Sequence, residues 1–238
     1  MKHDAHGWWL AEAGPVAPAP PLRGDERADV VIVGGGYAGL WTAWQLLQRG
    51  ASVALLEADV CGHGPSGRNG GFAETLWTNL PDLVERFGAE RALAAARASE
   101  DSVVQIGEWC EAEGVDAWFT PRGFLLTSAA EAQDEVLDRL LDAARATGAT
   151  DKLAGLDRAA VAERCASPLF RRAVFAPGDA TVHPARTLPP SVSASTSPGP
   201  ERSARTRECS NTRAPARITR SRSPSESRAG CTVASPGA

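Results

Sequence analysis

The sequence contains no run of about 20 apolar residues, the length that a helix needs to cross a bilayer. Residues 1–10 also lack the apolar core of a signal peptide. The five cysteines are scattered and include no CxxC pair, and the four histidines form no cluster. These absences predict a protein of the reducing cytoplasm with no membrane partner and no metal site.

The C-terminal part lacks aromatic residues. All seven Trp, the single Tyr and all six Phe precede residue 187. Residues 1–186 carry 17 Lys plus Arg against 26 Asp plus Glu, whereas residues 187–238 carry 8 against 3. This tail has 11 Ser and 7 Pro but only four residues of the Leu, Ile and Val set. It has too little apolar surface to offset the entropy lost on ordering, so it is predicted to be disordered.

A strand–turn–helix–strand pattern occupies residues 29–57. The run DVVIV at 29–33 predicts a strand buried on both faces, and residues 40–49 predict a helix that Gly50 ends. Residues 52–56 predict a second strand, which leads to Glu57. The segment between the first strand and the helix reads GGGYAG, a GxGxxG motif in the context that gives it meaning.

Each glycine of the motif has a physical role in binding a dinucleotide. Gly34 allows the tight turn, Gly36 lets a pyrophosphate approach the backbone, and Gly39 permits close packing of helix on strand. The N–H groups at the helix start, including that of Ala38, are predicted to face the anion.

Glu57, 18 residues after Gly39, is predicted to accept hydrogen bonds from the ribose hydroxyls. A carboxylate there would repel a 2′-phosphate, which argues against NADP. The turn alone does not separate NAD from FAD, so an NAD-dependent dehydrogenase stays open as an alternative at this point.

A second glycine-rich segment, residues 64–71, favours FAD. A simple NAD dehydrogenase has no need for such a loop directly after the ribose-binding strand, whereas the longer FAD molecule runs past it. Its small residues would let the backbone approach the flavin. The predicted contacts to pyrophosphate and flavin edge come from Ser66, Arg68, Asn69, Gly70 and Gly71.

At these motifs the chain resembles the D-amino-acid oxidase-like superfamily of FAD-dependent oxidoreductases. The resemblance is carried by GGGYAGLWTAWQLLQRGASVALLE. The segments SGRNGG and HGWWL resemble the branch that includes gamma-glutamylputrescine oxidase-type enzymes.

The resemblance implies oxidation of the C–N bond of a small amine or amino acid by hydride transfer to flavin N5, with oxygen or another electron acceptor. It implies non-covalent FAD, because Cys61 and His63 do not lie where relatives attach the flavin. It names no catalytic residue.

The organisation predicted for the chain has four parts. They are an extended arm at 1–28, an FAD-binding half at 29–78, a partial substrate or cap domain at 79–186 and the tail at 187–238. The third part is predicted to contain helices at 83–113 and 129–147, a hairpin at 117–127 that turns at Pro121-Arg122-Gly123, and a strand, turn and strand at 171–183. The predicted fold class is α/β, with a Rossmann-type FAD/NAD(P)-binding ββα domain and part of an α+β substrate domain.

The resemblance ends after Arg186, where the family continues with a helix and a further strand of the sheet. No such continuation is predicted here. A tail rich in Arg, Ser, Pro, Thr and Ala without Lys or Asp is typical of a GC-rich coding region read out of frame. We therefore expect a frameshift or sequencing error near Arg186, which resequencing codons 180–200 would test. The alternative to an active oxidoreductase is an inactive, truncated flavoprotein fragment with no catalysis.

The segment RITRSRSPSESR also resembles Arg-Ser segments that contact RNA. No RNA-binding fold and no aromatic platform accompanies it, so we expect no nucleic-acid partner.

Overall fold

The computed structural model describes residues 7–22, 25–188, 207–211, 217–220 and 231–234. The chain divides into two compact units, one formed by Met1–Gly70 with Pro184–Ala238 and the other by Gly71–His183. The four-part organisation predicted from the sequence remains a proposal. Among the described residues, no helix combines the length and the apolar character that crossing a bilayer requires.

Helices and strands follow one another along the chain in this order: α1 (Trp8–Ala13), β1 (Glu26–Ala28), β2 (Val30–Val33), α2 (Tyr37–Gln48), β3 (Val53–Glu57), β4 (Phe72–Ala73), α3 (Leu80–Phe87), α4 (Ala89–Ala112), β5 (Phe124–Ser128), α5 (Glu131–Thr147), β6 (Ala154–Leu156), α6 (Arg158–Arg164), β7 (Arg172–Ala176), β8 (Ala180–Thr181), β9 (Arg207–Asn211), β10 (Arg217–Arg220) and β11 (Cys231–Ala234).

A parallel sheet with the strand order β2-β3-β9 forms the centre of the first unit. Strands β2 and β3 pair in the register Val30↔Val53 to Val33↔Leu56, and α2 makes the crossover between them. Leu40 and Ala43 of α2 pack against Val53 and Leu55 of the sheet in one buried cluster. The predicted strand–turn–helix–strand unit is thus present, because β-branched strands and an amphipathic helix bury the same apolar surface.

The expectation that no further strand joins the sheet is wrong. Strand β9 pairs parallel with β3, although it lies in a tail whose composition did not predict a strand. Strands β10 and β11 pair with each other, and β11 also pairs with β1 in the arm that the sequence predicted to be extended. The other residues of 189–238 lie outside the described residues, and so does the disorder expected for them.

The core of the second unit lies between its helices and one face of a sheet. Trp77, Leu80, Ala92, Leu137 and Leu140 belong to one buried cluster. The single helix predicted at 83–113 is two helices, α3 and α4, because Gly88 at their junction has a φ of +79°. The helix predicted at 129–147 is present as α5, and left-handed Gly148 ends it.

The hairpin predicted at 117–127, with its turn at Pro121-Arg122-Gly123, is wrong. Strand β5 pairs with β7, which also pairs with β6, so the sheet order is β5-β7-β6. Thr120 instead bridges Thr181 of β8, which pairs with β4. The Gly123 N–H donates to the Asp179 carbonyl 2.9 Å away, so the residues on both sides of Pro121 bond to residues 179–181 and not to each other. Such long-range pairing is not encoded in the local pattern.

Among the described cysteines, Cys110 and Cys165 are free thiols, as the irregular spacing predicts. Cys61 is disulfide-bonded, which that spacing did not predict.

Candidate cofactor-binding site

The turn after β2 is shaped by its glycines. Gly34 has a φ of +107°, and its N–H donates to the Leu56 carbonyl at 2.8 Å, which holds the turn against β3. A Cβ on Gly39 would overlap the Gly34 carbonyl oxygen and lie 3.3 Å from Ile32 Cγ2. The first helical turn therefore crosses the strand at a distance that only glycine allows.

The side chain of Glu57 points to this turn. Its Oε2 accepts the Gly35 N–H at 2.6 Å, and its Oε1 accepts the Asp59 N–H at 3.1 Å. A carboxylate has about four lone-pair positions, so each oxygen keeps one for a further donor. The carboxylate is half-buried and can accept two hydroxyl protons beside the turn.

The start of α2 supplies amide donors. The Tyr37 N–H donates to Ser66 Oγ at 2.9 Å, and a Cβ on Gly36 would lie 3.0 Å from the same oxygen. Because Ser66 accepts there, its hydroxyl proton is available for an anion. Ala38 is exposed in the first helical turn, where backbone N–H groups have no intrahelical acceptor. These donors give the site positive potential.

The second glycine segment folds next to the first. The Gly62 N–H donates to the Gly35 carbonyl at 2.8 Å, and Pro65–Gly67 form a single 3-10 turn. The exposed Arg68 donates through Nε to the Gly64 carbonyl at 3.3 Å. The exposed Asn69 donates through Nδ2 to the Ser66 carbonyl at 2.8 Å.

The predicted residues do not all fall in the same unit. Gly70 is the last residue of this stretch in the first unit. Gly71 belongs to the second unit, with a φ of +76°, and its carbonyl accepts the Val182 N–H at 2.7 Å. The structure therefore brings together Gly34, Gly36, Ala38, Gly39, Glu57, Ser66, Arg68, Asn69 and Gly70.

The sequence patterns did not predict the residues that contact Tyr37 and the segment after residue 183. The Tyr37 hydroxyl donates to the Pro184 carbonyl at 2.7 Å and lies 3.0 Å from Thr187 Oγ1. Arg186 forms an ion pair with Glu12 at 2.7 Å. The one available signal was Tyr37 itself, the only tyrosine of the chain, placed inside the glycine motif.

The arrangement fits a dinucleotide better than a metal ion. A backbone turn without Cβ atoms and a carboxylate beside it match a diphosphate joined to a ribose. Among the described residues, no group of three His, Cys, Asp or Glu side chains lies close enough to hold a metal ion.

Residues 29–190 match the family described as "FAD dependent oxidoreductase". Two curated relatives match about half of the chain each. Gamma-glutamylputrescine oxidoreductase of Escherichia coli strain K12 is 31% identical over 127 residues, which are 53% of this chain and 30% of the relative. A probable oxidoreductase, OrdL, of Rhizobium meliloti strain 1021 is 33% identical over 117 residues, 48% of this chain and 27% of the relative. The chain thus spans less than a third of the length of either relative.

Solved structures share the fold. L-amino acid deaminase from Proteus vulgaris superposes with a TM-score of 0.57 at 21% identity, covering 74% of this chain and 39% of that one. Glycine oxidase from Bacillus cereus ATCC 14579 gives a TM-score of 0.50 at 21% identity, covering 68% and 41%. At this identity the similarity establishes the α/β fold alone.

Proposed function

Because this chain belongs to the family of FAD dependent oxidoreductases, we propose that its first unit binds the ADP part of FAD at the glycine turn after β2. The observation that carries the proposal is the Glu57 carboxylate, which accepts the Gly35 N–H at 2.6 Å. A carboxylate at this position supports the proposal, because it can accept from ribose hydroxyls next to amides that suit a diphosphate.

The residues around the turn divide the binding work in this proposal. The first-turn amides of α2 and the hydroxyl proton of Ser66 bind the diphosphate. Arg68 and Asn69, both exposed, extend the donor set along the second glycine segment towards the flavin. Gly70 and Gly71 keep that segment free of side chains, and FAD is held without a covalent bond.

The reaction that we propose is oxidation of the C–N bond of a small amine or amino acid. Bound FAD supplies the chemistry, because its isoalloxazine accepts a hydride and passes the electrons to oxygen or another acceptor. The substrate class follows the name of the curated relative gamma-glutamylputrescine oxidoreductase, and no residue of this chain is assigned as catalytic. A cytoplasmic location is also part of the proposal: the free thiols of Cys110 and Cys165 favour it, and the disulfide at Cys61 does not.

The test is a titration of the apoprotein with FAD, followed by quenching of flavin fluorescence. We expect Glu57→Gln to weaken FAD binding by roughly 10- to 100-fold, because hydrogen bonds to a charged acceptor contribute about 1.5–3 kcal/mol. Asp59→Asn is the matched control. Asp59 lies two residues after Glu57, its side chain is exposed, and the substitution likewise removes one negative charge. It should leave the affinity within about twofold of the original, because exposed charges are strongly screened.

Two results would contradict the proposal. Equal effects of the two substitutions would mean that only net charge matters at the turn. Tighter binding of NADH than of FAD would favour a dehydrogenase.

If FAD binds but does not bleach anaerobically with any of a panel of amines and amino acids, the chain is a flavin-binding fragment without catalysis. Acid precipitation should release the flavin into solution, as non-covalent binding requires.

A further inference from the structure

Tyr37 takes part in three separate regions of the first unit. It is the first residue of α2, directly after Gly36 of the glycine motif. Its backbone N–H donates to Ser66 Oγ in the second glycine segment at 2.9 Å. Its hydroxyl donates to the Pro184 carbonyl at 2.7 Å, in the segment Pro184–Leu188, which we name the return segment. A single residue thus links the helix start, the second glycine segment and the return segment.

The Tyr37 hydroxyl contacts two residues of the return segment, Pro184 and Thr187. Thr187 Oγ1 lies 3.0 Å from the tyrosine oxygen and donates to it, because the single Tyr37 hydroxyl proton goes to the Pro184 carbonyl. Thr187 is only 3% exposed, so its hydroxyl has little access to water. The pKa of Tyr37 is raised by burial, and hydrogen bonds with Thr187 and Asn69 oppose that shift. The tyrosine therefore stays neutral and remains a donor at neutral pH.

The return segment is fixed to the same unit at two further points. Arg186 pairs with Glu12 of α1 at 2.7 Å, where both side chains are about three-quarters buried. A Cβ on Gly62 would overlap Leu188 Cδ1, so this leucine packs directly on the backbone that precedes the second glycine segment. These contacts hold the return segment in place, so its hydrogen bonds to the Tyr37 hydroxyl restrain the Tyr37 side chain.

We propose that Tyr37 is a positioning residue for the cofactor, which holds the start of α2 and the second glycine segment in one arrangement through its hydrogen bonds to Pro184 and Thr187. The inference rests on the proposed binding of FAD by this unit. A diphosphate binds tightly when the backbone N–H groups already point to its position before it binds. If these N–H groups become mobile, the affinity for FAD falls although no group that contacts FAD has been removed. Tyr37 acts through Ser66 and the first-turn amides.

The experiment uses the full chain and titrates apoprotein with FAD. Tyr37→Phe keeps the ring and removes the hydroxyl, and we expect FAD affinity to fall roughly tenfold, since a lost buried hydrogen bond leaves a partner unsatisfied. Thr187→Val should produce a similar fall. Thr187→Ser retains a hydroxyl and should restore affinity to within about twofold of the original. The double variant should lose about as much as either single variant, because the two hydroxyls act as one unit.

The serine rescue and the double variant separate positioning from general stability. Thr181→Val serves as a control, because Thr181 is an exposed threonine of the second unit and should leave FAD affinity unchanged. Should Tyr37→Phe fail to fold, the Thr187 valine and serine pair carries the test alone.

Unchanged affinity in Tyr37→Phe, while Glu57→Gln still weakens binding, would overturn this inference and leave the proposed function intact. Equal losses in Thr187→Val and Thr187→Ser, or additive losses in the double variant, would also overturn it. No FAD binding by the unsubstituted chain would remove both the proposed function and the inference.

Discussion

Gly39 lies where α2 passes closest to the turn that precedes it. A methyl group there would overlap the Gly34 carbonyl oxygen, which is backbone and can move only if the whole turn opens. We expect Gly39→Ala to lower the midpoint of thermal unfolding and to abolish saturable FAD binding, since overpacking of this kind costs about 1–3 kcal/mol or more. Circular dichroism and FAD titration measure the two effects.

Gly64 gives a matched control for that substitution. It lies in the same glycine-rich region with a φ of −76°, and a Cβ there would have no heavy atom within 4 Å. Gly64→Ala should therefore leave the unfolding midpoint unchanged or slightly raised, because alanine restricts the unfolded chain. If Gly39→Ala and Gly64→Ala have the same unfolding midpoint and the same FAD affinity, then the close contact between Gly39 and the Gly34 carbonyl does not constrain the turn.

The single tyrosine makes alkaline titration a direct test of the environment of Tyr37. Burial is the largest cause of its raised pKa, ahead of the hydrogen bonds with Thr187 and Asn69, which lower it. A raised pKa means that the folded state holds the proton more tightly than the unfolded state does. This contribution to stability is present below the ordinary tyrosine pKa and is lost as the pH rises through the folded-state value.

We therefore expect the ultraviolet absorbance of tyrosinate to appear at higher pH in the folded chain than in the chain unfolded by guanidinium. The Tyr37→Phe variant has no tyrosine and supplies the baseline for both titrations. Coincident curves for the folded and unfolded chains would mean that the hydroxyl is in contact with water.

Local pattern predicted the positions of the glycines and of Glu57 because strand, turn, helix and strand follow one another within 29 residues, 29–57. The hydrogen bond from Tyr37 to Pro184 joins residues 147 positions apart. No periodicity links such positions, so no local pattern indicated the role of the return segment. The binding surface of the candidate site was predictable from sequence, and the contacts behind it were not.

At the level of elements, α5 is fixed to the sheet of the second unit by charges. Asp134 accepts from the buried Ser128 Oγ at 2.5 Å and pairs with Arg171 at 3.2 Å. Asp138, one helical turn later, pairs with Arg172 of β7 at 2.5 Å. The Ser128 hydrogen bond is the main cause of the lowered pKa of Asp134, and the Arg172 hydrogen bond is the main cause of the lowered pKa of Asp138.

A lowered aspartate pKa stabilises the folded state above the ordinary aspartate pKa, and this stabilisation is lost as the pH falls through the folded-state value. We expect the unfolding midpoint to fall as the pH drops below the ordinary aspartate pKa of 3.8, and to fall less in Asp134→Asn, which is already destabilised at pH 7. Asp142→Asn is the control, because Asp142 pairs with Arg145 on the exposed face of the same helix, where both side chains are over 60% accessible. Exposed pairs of this kind contribute little. An acid-side slope that is identical in both variants would contradict the assignment.

Element prediction failed where the partner of an element lies far along the chain. Residues 117–127 carry the alternation and the turn of a hairpin, yet β5 pairs with β7. The break between α3 and α4 was visible in the sequence as Gly88, but an isolated glycine costs a helix only about 1 kcal/mol, so it did not by itself predict an end. Neither the φ of +79° at Gly88 nor the pairing of β5 with β7 is encoded in the local sequence pattern.

At the scale of the whole molecule, the second unit, Gly71–His183, has the features of a domain that folds alone. The residues of its main buried cluster all lie between Trp77 and Ala176. Its two ends are held by its own hydrogen bonds, from the Val182 N–H to the Gly71 carbonyl at 2.7 Å and from the His183 N–H to the Ala117 carbonyl at 2.6 Å. Closed ends and a separate core are what independent folding requires.

We expect a polypeptide of residues 71–183 to unfold in one cooperative thermal transition and to bind no FAD, because the glycine turn and Glu57 belong to the first unit. Two neighbouring residues of α5 test whether the buried cluster of the second unit stabilises this polypeptide. Leu137 is 2% exposed and Val136 is 55% exposed. Leu137→Ala should destabilise the polypeptide by about 2–5 kcal/mol, and Val136→Ala by less than about 0.5 kcal/mol. Two results would contradict this prediction: no cooperative transition in the polypeptide, or equal destabilisation by Leu137→Ala and Val136→Ala. Either would mean that the helices of the second unit need the first unit for their packing, so that the two units do not fold separately.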